Sequence, residues 1–290
     1  MRAYQTIDVA PVAGALGAEI SGVDLRQPLG EAQRVDIREA LTRHLVVFFR
    51  DQLLTEDEHL RFASIFGELY QSSTNPDEPG SLFTTLEDTP NSPPKADRWH
   101  TDVSFSPRPP DVAVLQMLAT PPVGGDTMWA SLYGAYEALS PTMRRLCDAL
   151  DVDHDLGTTG DLLRELYGEE YHRRVMETFH PPRHPLVRVH PVTGRPALYL
   201  AGSFMGGIAG ATHEESDLLL SFLKSRLDDP NIQCRWRWRQ HDIAVWDERC
   251  TNHRALSDHY PNYRMVRRCL AGSGVPKGVD AHTALADAAR

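Results

Sequence analysis

Gln233-Cys234-Arg235-Trp236-Arg237-Trp238-Arg239 alternates without a break, with cysteine and tryptophans on one side and arginines on the other. A period of two marks a strand with one face in a core and the other in water. Just beyond it, Ile243-Ala244-Val245-Trp246 is apolar at every position, the pattern of a strand covered on both faces. Working outward, residues 265–270 read as a further strand, and 186–189 and 197–200 flank the turn Pro191-Val192-Thr193-Gly194 as a hairpin. Upstream, 112–119 reads as a strand, Pro121-Pro122-Val123-Gly124-Gly125 as a tight turn, and Asp126-Thr127-Met128-Trp129 as the start of another strand. Short strands and turns with helices packed outside predict a mainly β fold of the sandwich or barrel kind, with a jelly-roll core.

The helices announce themselves by their starts. Residues 31–44 carry Val35, Ile37, Ala40 and Leu41 at helical spacing, and Leu45-Val46-Val47-Phe48-Phe49 follows as a central, buried strand. Thr55 with Glu58, and Thr212 with Glu215, are capping boxes; Ser140-Pro141 is a third helix start. Residues 9–25 suggest short N-terminal strands, while 70–98 read as a long polar loop. Residues 157–185, charged and carrying Tyr167 and Tyr171, read as an active-site lid, and the small-residue tail from Gly272 as loosely held. With neither repeat nor linker, residues 1–290 read as one domain.

Composition narrows the function classes. At 41% hydrophobic and 24% charged residues the chain can bury a large core. A net charge of −10 without a basic stripe argues against a nucleic-acid partner. Met1-Arg2-Ala3-Tyr4-Gln5 begins no apolar signal region, and no span approaches the ~18 apolar residues of a membrane helix, so a cytoplasmic protein with no membrane partner is expected. Cys147, Cys234, Cys250 and Cys269 are scattered, which suits buried free thiols in a reducing compartment.

The chemistry starts in Arg98-Trp99-His100-Thr101-Asp102-Val103-Ser104-Phe105. On an extended strand His100 and Asp102 project to the same side, and a distant histidine would complete a two-histidine, one-carboxylate facial triad for non-heme Fe(II). With 13 His and 40 acidic residues, roughly two His-x-acid pairs arise by chance. The other, His213-Glu214-Glu215, belongs to a helix start, whereas His100 and Asp102 lie on a short element between turns. Among the remaining histidines His253 is the best third ligand, in a turn after the buried strand that ends at Trp246. His190 reads as a hairpin residue, His180 and His184 as proline-flanked lid residues, and His154, His241 and His259 as structural. Further on, alternation sends Arg264 and Arg268 to one face and Arg267 to the other. Guanidinium forks suit carboxylates, so two inward arginines imply two anions; a solvated basic edge is the rival reading.

Trp99-His100-Thr101-Asp102, Gly124-Gly125-Asp126-Thr127, Tyr136-Glu137-Ala138-Leu139-Ser140 and Val245-Trp246-Asp247, followed by His253, Arg264 and Arg268, resemble the taurine dioxygenase family of Fe(II)/2-oxoglutarate-dependent oxygenases. The similarity runs from about Gly17 to Pro276. It implies a double-stranded β-helix that couples oxidative decarboxylation of 2-oxoglutarate, with O2, to hydroxylation of a small and anionic substrate, releasing succinate and CO2. It implies His100, Asp102 and His253 as iron ligands and catalytic centre, Thr127 and Arg264 as holders of the 2-oxoglutarate distal carboxylate, Arg268 as the contact to the substrate's acidic group, and Phe204 as a pocket aromatic. It also implies assembly as a dimer or tetramer.

Departures from the family concern the substrate. Ser72 stands where taurine enzymes place a sulfonate-binding histidine, Ala96 where they have an asparagine, and no lid aromatic appears near Gly160. A larger or less polar substrate than taurine is therefore expected: an alkyl sulfate, another sulfonate, an aryloxyalkanoate or a biosynthetic intermediate. Two other readings suit the same residues: a zinc hydrolase, with three ligands and an open position, and a non-catalytic jelly-roll module that binds a carboxylate effector.

Overall fold

The alternation at 233–239 is realised residue by residue: Cys234, Trp236 and Trp238 are buried, while Arg235, Arg237 and Arg239 face out. The computed structural model describes residues 3–71 and 81–279. Its elements run β1 (Asp8–Pro11), β2 (Ala18–Ser21), α1 (Glu31–His44), β3 (Val46–Phe49), α2 (Glu56–Ala63), β4 (Phe83–Asp88), β5 (Val112–Ala119) and β6 (Thr127–Ser131). Then come α3 (Leu132–Glu137), α4 (Pro141–Asp148), β7 (Asp151–His154), α5 (Thr158–Thr178), β8 (Arg183–Pro185), β9 (Val187–Val189), β10 (Pro196–Leu198), β11 (Met205–Ile208) and α6 (His213–Lys224). The last strands are β12 (Gln233–Trp236), β13 (Ile243–Asp247), β14 (Thr251–Ala255) and β15 (Arg264–Ala271). No helix of the described residues is long and apolar enough to cross a membrane.

The chain divides into two compact units. The first takes residues 1–99, 110–131 and 229–274; the second takes 100–109, 132–228 and 275–290. In the first, a seven-stranded sheet runs β1-β2-β3-β13-β5-β15-β4, and a three-stranded sheet runs β12-β6-β14. The period of two sorts the large sheet's side chains. Val47, Phe49, Val114, Ile243, Val245 and Cys269 join Ile37, Ala40 and Leu41 of α1 and Phe62 of α2 in one apolar cluster. The intervening residues face the small sheet. Phe48 stacks on Trp236 at 4.0 Å, and Trp129 meets Phe48 and Trp246 edge-on at 5.3 and 5.7 Å. Such aromatic pairs contribute about 1 kcal/mol each beyond their buried area.

One strand departs from expectation. β4 lies within the segment read as a long loop and pairs antiparallel with β15, Asp88 opposite Arg264 and Thr84 opposite Arg268. It is an edge strand with side chains half-buried or exposed, so no burial periodicity marks it.

In the second unit β11-β7-β8 form one small sheet and β9 and β10 the expected hairpin. The Ser140 hydroxyl accepts from Met143 N at 3.2 Å, and the Thr212 hydroxyl from Glu215 N at 3.3 Å, so both helix starts are capped. A cap of this kind stabilises by about 1 kcal/mol. Residues 157–185 hold α5, whose backbone leaves helical geometry at Gly168. At Gly157 a Cβ would stand 2.2 Å from Ser203 O, so this turn requires glycine. Within the tail, Val189 N donates to Lys277 O at 2.8 Å, which ties 277 to the hairpin.

Candidate functional site

His100 and Asp102 are brought together by a turn and not by a strand. His100 ends an extended approach, and the turn that opens at Asp102 is closed by Ser106 N donating to Val103 O at 3.0 Å. The two side chains still converge, with His100 Nε2 3.7 Å from Asp102 Oδ1. That is beyond hydrogen-bond length and within the spacing of two groups facing one cation. Thr101, pointing the other way, donates from its hydroxyl to Leu200 O at 3.2 Å. In the same unit Phe204 is buried and meets the Phe105 ring edge-on at 5.3 Å.

The first unit carries the other expected residues. His253 lies on β14, opposite Trp129 of β6, and not in a turn. The turn comes just before it. Asp247 binds the Arg249 guanidinium through both oxygens, at 2.9 and 2.7 Å, and its carbonyl accepts from the Thr251 hydroxyl at 2.8 Å. The Trp246 ring packs 4.7 Å from His253, and Trp246 Nε1 donates to Glu248 Oε1 at 2.6 Å. That carboxylate oxygen lies 4.0 Å from His253 Nδ1. Next to His253, the Arg254 guanidinium sits 4.7 Å over the Trp99 ring, and Ala255 N donates to Ala96 O at 2.8 Å. The chain leading into His100 thus runs against the strand that carries His253.

Arg264 is 4% exposed at the start of β15. Its Nε donates to Gly125 O at 3.1 Å, and a terminal nitrogen faces Asp88 Oδ2 at 3.6 Å. Burial lowers its pKa, opposed by Asp88 and Asp126. Gly124 and Gly125 both have positive φ, and a Cβ on Gly125 would meet Pro121 Cγ at 2.9 Å and Arg264 Cδ at 3.1 Å. The turn is fixed by Gly125 N donating to Asp258 Oδ1 at 2.9 Å and by Arg235 pairing with Asp126 at 2.7 Å. Thr127, next along, is buried and its hydroxyl accepts from Trp238 Nε1 at 2.9 Å.

The register with β4 puts Arg264 and Arg268 on one face of β15 and Arg267 on the other. Arg267 is committed there to Glu56 Oε1 (2.9 Å), Leu54 O (3.2 Å) and Gln116 Oε1 (2.9 Å). Ser72 lies outside the described residues. Sequence reasoning missed Asp88, which faces both Arg264 and His259 Nε2, the latter at 3.2 Å; it sits on the unforeseen β4. It also missed Asp258 and Arg235, although the Gly-Gly-Asp turn was itself a signal that something must bind its backbone.

A mainly β fold with flanking helices and a jelly-roll core is the architecture of the 2-oxoglutarate-dependent dioxygenases. The chain belongs to the taurine catabolism dioxygenase TauD, TfdA family, which matches residues 8–270. It is 37% identical to the alpha-ketoglutarate-dependent sulfate ester dioxygenase of Pseudomonas putida, over 94% of this chain and 92% of that one. It is 33% identical to an alkylsulfatase of Acinetobacter baylyi, over 94% and 87%. A solved taurine dioxygenase from Burkholderia xenovorans superimposes with a TM-score of 0.80 at 34% identity, over 95% of this chain and 94% of that one. The protein is therefore an oxidoreductase that uses 2-oxoglutarate and O2, and the hydrolase and binding-module readings lose their support.

Proposed function

We propose that the protein oxidises a small organic anion of the sulfate ester, sulfonate or aryloxyalkanoate type, at an iron held by His100, Asp102 and His253. The observation that carries the anion is on β15: two arginines share one face, and the first is buried, oriented by its Nε bond to Gly125 O and only partly offset by Asp88 at 3.6 Å. One guanidinium suits the distal carboxylate of 2-oxoglutarate, together with the Thr127 hydroxyl; the second, Arg268, suits the acidic group of the substrate. Phe204, with Phe105 against it, supplies an apolar wall, and Ser72 is assigned to the substrate side on its place in the sequence.

The donor set fits Fe(II): two imidazoles and one carboxylate, each residue able to offer one ligand atom. Supporting the third ligand is the run of 96–99 against β14, one residue from His253. When bound, iron would activate O2 and couple the oxidative decarboxylation of 2-oxoglutarate to oxidation of the substrate C–H, the four electrons taken up by O2 coming from 2-oxoglutarate and the substrate. The protein positions. Arg264 and Thr127 fix one end of the cosubstrate, Arg268 orients the substrate's anionic end, and the aromatic wall excludes water from the reacting carbon. Hydroxylation beside a sulfate or aryloxy oxygen, or a sulfonate sulfur, makes the product collapse to a carbonyl compound and release sulfate, a phenol or sulfite.

The test is succinate formation with alkyl sulfates, alkanesulfonates and aryloxyalkanoates, each beside a neutral isostere. Anion-dependent turnover is expected. Equal turnover of the neutral isosteres would remove the role given to Arg268 and the anionic substrate class with it.

A further inference from the structure

Two buried histidines of the second unit grip the turn that opens at Asp102. His184 Nε2 lies 3.0 Å from Ser104 O and 3.1 Å from Ser106 O. A ring nitrogen facing two carbonyl oxygens must carry the proton, so His184 donates to both in a three-centre bond. His154 Nδ1 lies 3.0 Å from the Ser104 hydroxyl, on the same residue. The two imidazoles meet edge-on at 4.9 Å, Tyr199 packs on them at 5.0 and 5.5 Å, and the Arg188 guanidinium covers Tyr199 at 3.8 Å. Burial, then the fields of His184 and Arg188, holds His154 near 3, and burial lowers His184 as well, so both rings are neutral at ordinary pH.

What they grip is strained. Val103, between Asp102 and Ser104, has φ of +52°. A β-branched residue in the left-handed region is an outlier that persists only where its surroundings impose it. The two carbonyls that His184 binds belong to the residue after Val103 and to Ser106, whose N closes the turn on Val103 O.

We infer that His184 is a positioning residue for the metal centre: its Nε2–H, bound to Ser104 O and Ser106 O, holds Val103 left-handed and so aims Asp102 at His100, with His154 bracing Ser104. The inference rests on the reading of His100 and Asp102 as metal ligands. His184 acts through the backbone of the turn, so its loss changes metal affinity before it changes the rest of the fold.

The experiment is a titration of metal-free protein with Co(II) alone, read by visible absorbance, in wild type, His100→Ala, His184→Met and His184→Gln, with urea unfolding of each metal-free protein alongside. Methionine keeps much of the buried volume and offers no donor; the glutamine amide restores one at the place of Nε2. Tenfold or greater weakening of Co(II) binding in His184→Met, with most of it recovered in His184→Gln, is expected. If His184→Met binds within twofold of wild type while His100→Ala loses binding, the positioning role is wrong and the ligand assignment stands. If Met and Gln weaken binding equally, the donated hydrogen bond is not the cause, which also overturns the inference. If His100→Ala binds as wild type does, the ligand reading itself fails. Should His184→Met not fold, Val103→Gly in that background removes the steric penalty of the left-handed turn; a folded protein whose Co(II) affinity returns to within threefold of wild type would support the inference, and affinity no better than that of His100→Ala would overturn it.

Discussion

Replacing Arg264 by alanine should weaken 2-oxoglutarate binding by about 2–3 kcal/mol, roughly 30- to 150-fold in Kd. Truncating one member of a desolvated, hydrogen-bonded charge pair costs about 2–5 kcal/mol. Two features of the structure select the lower half of that range. Nε is already committed to Gly125 O at 3.1 Å, so only the terminal nitrogens reach a ligand. Asp88, 3.6 Å from one of them, offsets part of the charge. Arg264→Lys keeps the charge and loses the fork, so about 1–2 kcal/mol is expected. Asp88→Asn should act in the opposite direction and tighten binding, because a competing carboxylate is removed. The assay is anaerobic calorimetric titration of 2-oxoglutarate into Mn(II)-loaded protein, with urea unfolding to confirm that each variant is folded. A folded Arg264→Ala protein that binds 2-oxoglutarate within threefold of wild type would refute the reasoning.

Arg268→Ala should leave cosubstrate affinity within a few-fold and raise succinate formed per substrate oxidised; equal loss of both affinities would mean the two arginines act as one site. Gly125→Ala places a Cβ at positive φ, 2.9 Å from Pro121 Cγ and 3.1 Å from Arg264 Cδ, so a loss of about 1–3 kcal/mol in stability and weaker 2-oxoglutarate binding are expected together; wild-type values for both would show that the turn does not orient Arg264. His154, held near 3 chiefly by burial, and His59, held near 4 chiefly by burial, stay neutral in the folded protein where unfolded histidine, near 6.5, takes up a proton. The unfolded chain then binds more protons, so stability is present above 6.5 and falls as pH drops, by about 2 kcal/mol for each histidine between pH 7 and 5. Urea midpoints across that range check it, and a flat profile would mean the two rings are not buried neutral.

Much of the fold is legible wherever one face of an element must be dry. The 233–239 alternation, the all-apolar strand at Val47 and Phe49, and the capping boxes at Thr55 and Thr212 are each local patterns with a local cause. β4 was hidden because an edge strand draws its stability from backbone pairing with a segment far along the chain, and that leaves no trace in its own side chains. The Asp102 turn was hidden for a stronger reason. Valine opposes the conformation it adopts there, and the group that imposes it, His184, lies far along the chain and reads locally as a proline-flanked lid residue. His253 reads in the sequence as a turn residue but lies on a strand that begins at Thr251, after the turn held by the Asp247–Arg249 pair. Asp88 illustrates the remaining limit, since a carboxylate matters there only through an arginine that register brings opposite it.

The most direct test of the central claim is an anaerobic titration of the purified protein with Fe(II) and 2-oxoglutarate, followed through the weak visible charge-transfer absorption of the chelate, in wild type and in His253→Ala. The band should form in wild type and vanish in the variant. A band of equal strength in His253→Ala, or none in a wild-type protein that binds zinc tightly, would contradict the assignment of His100, Asp102 and His253 to iron.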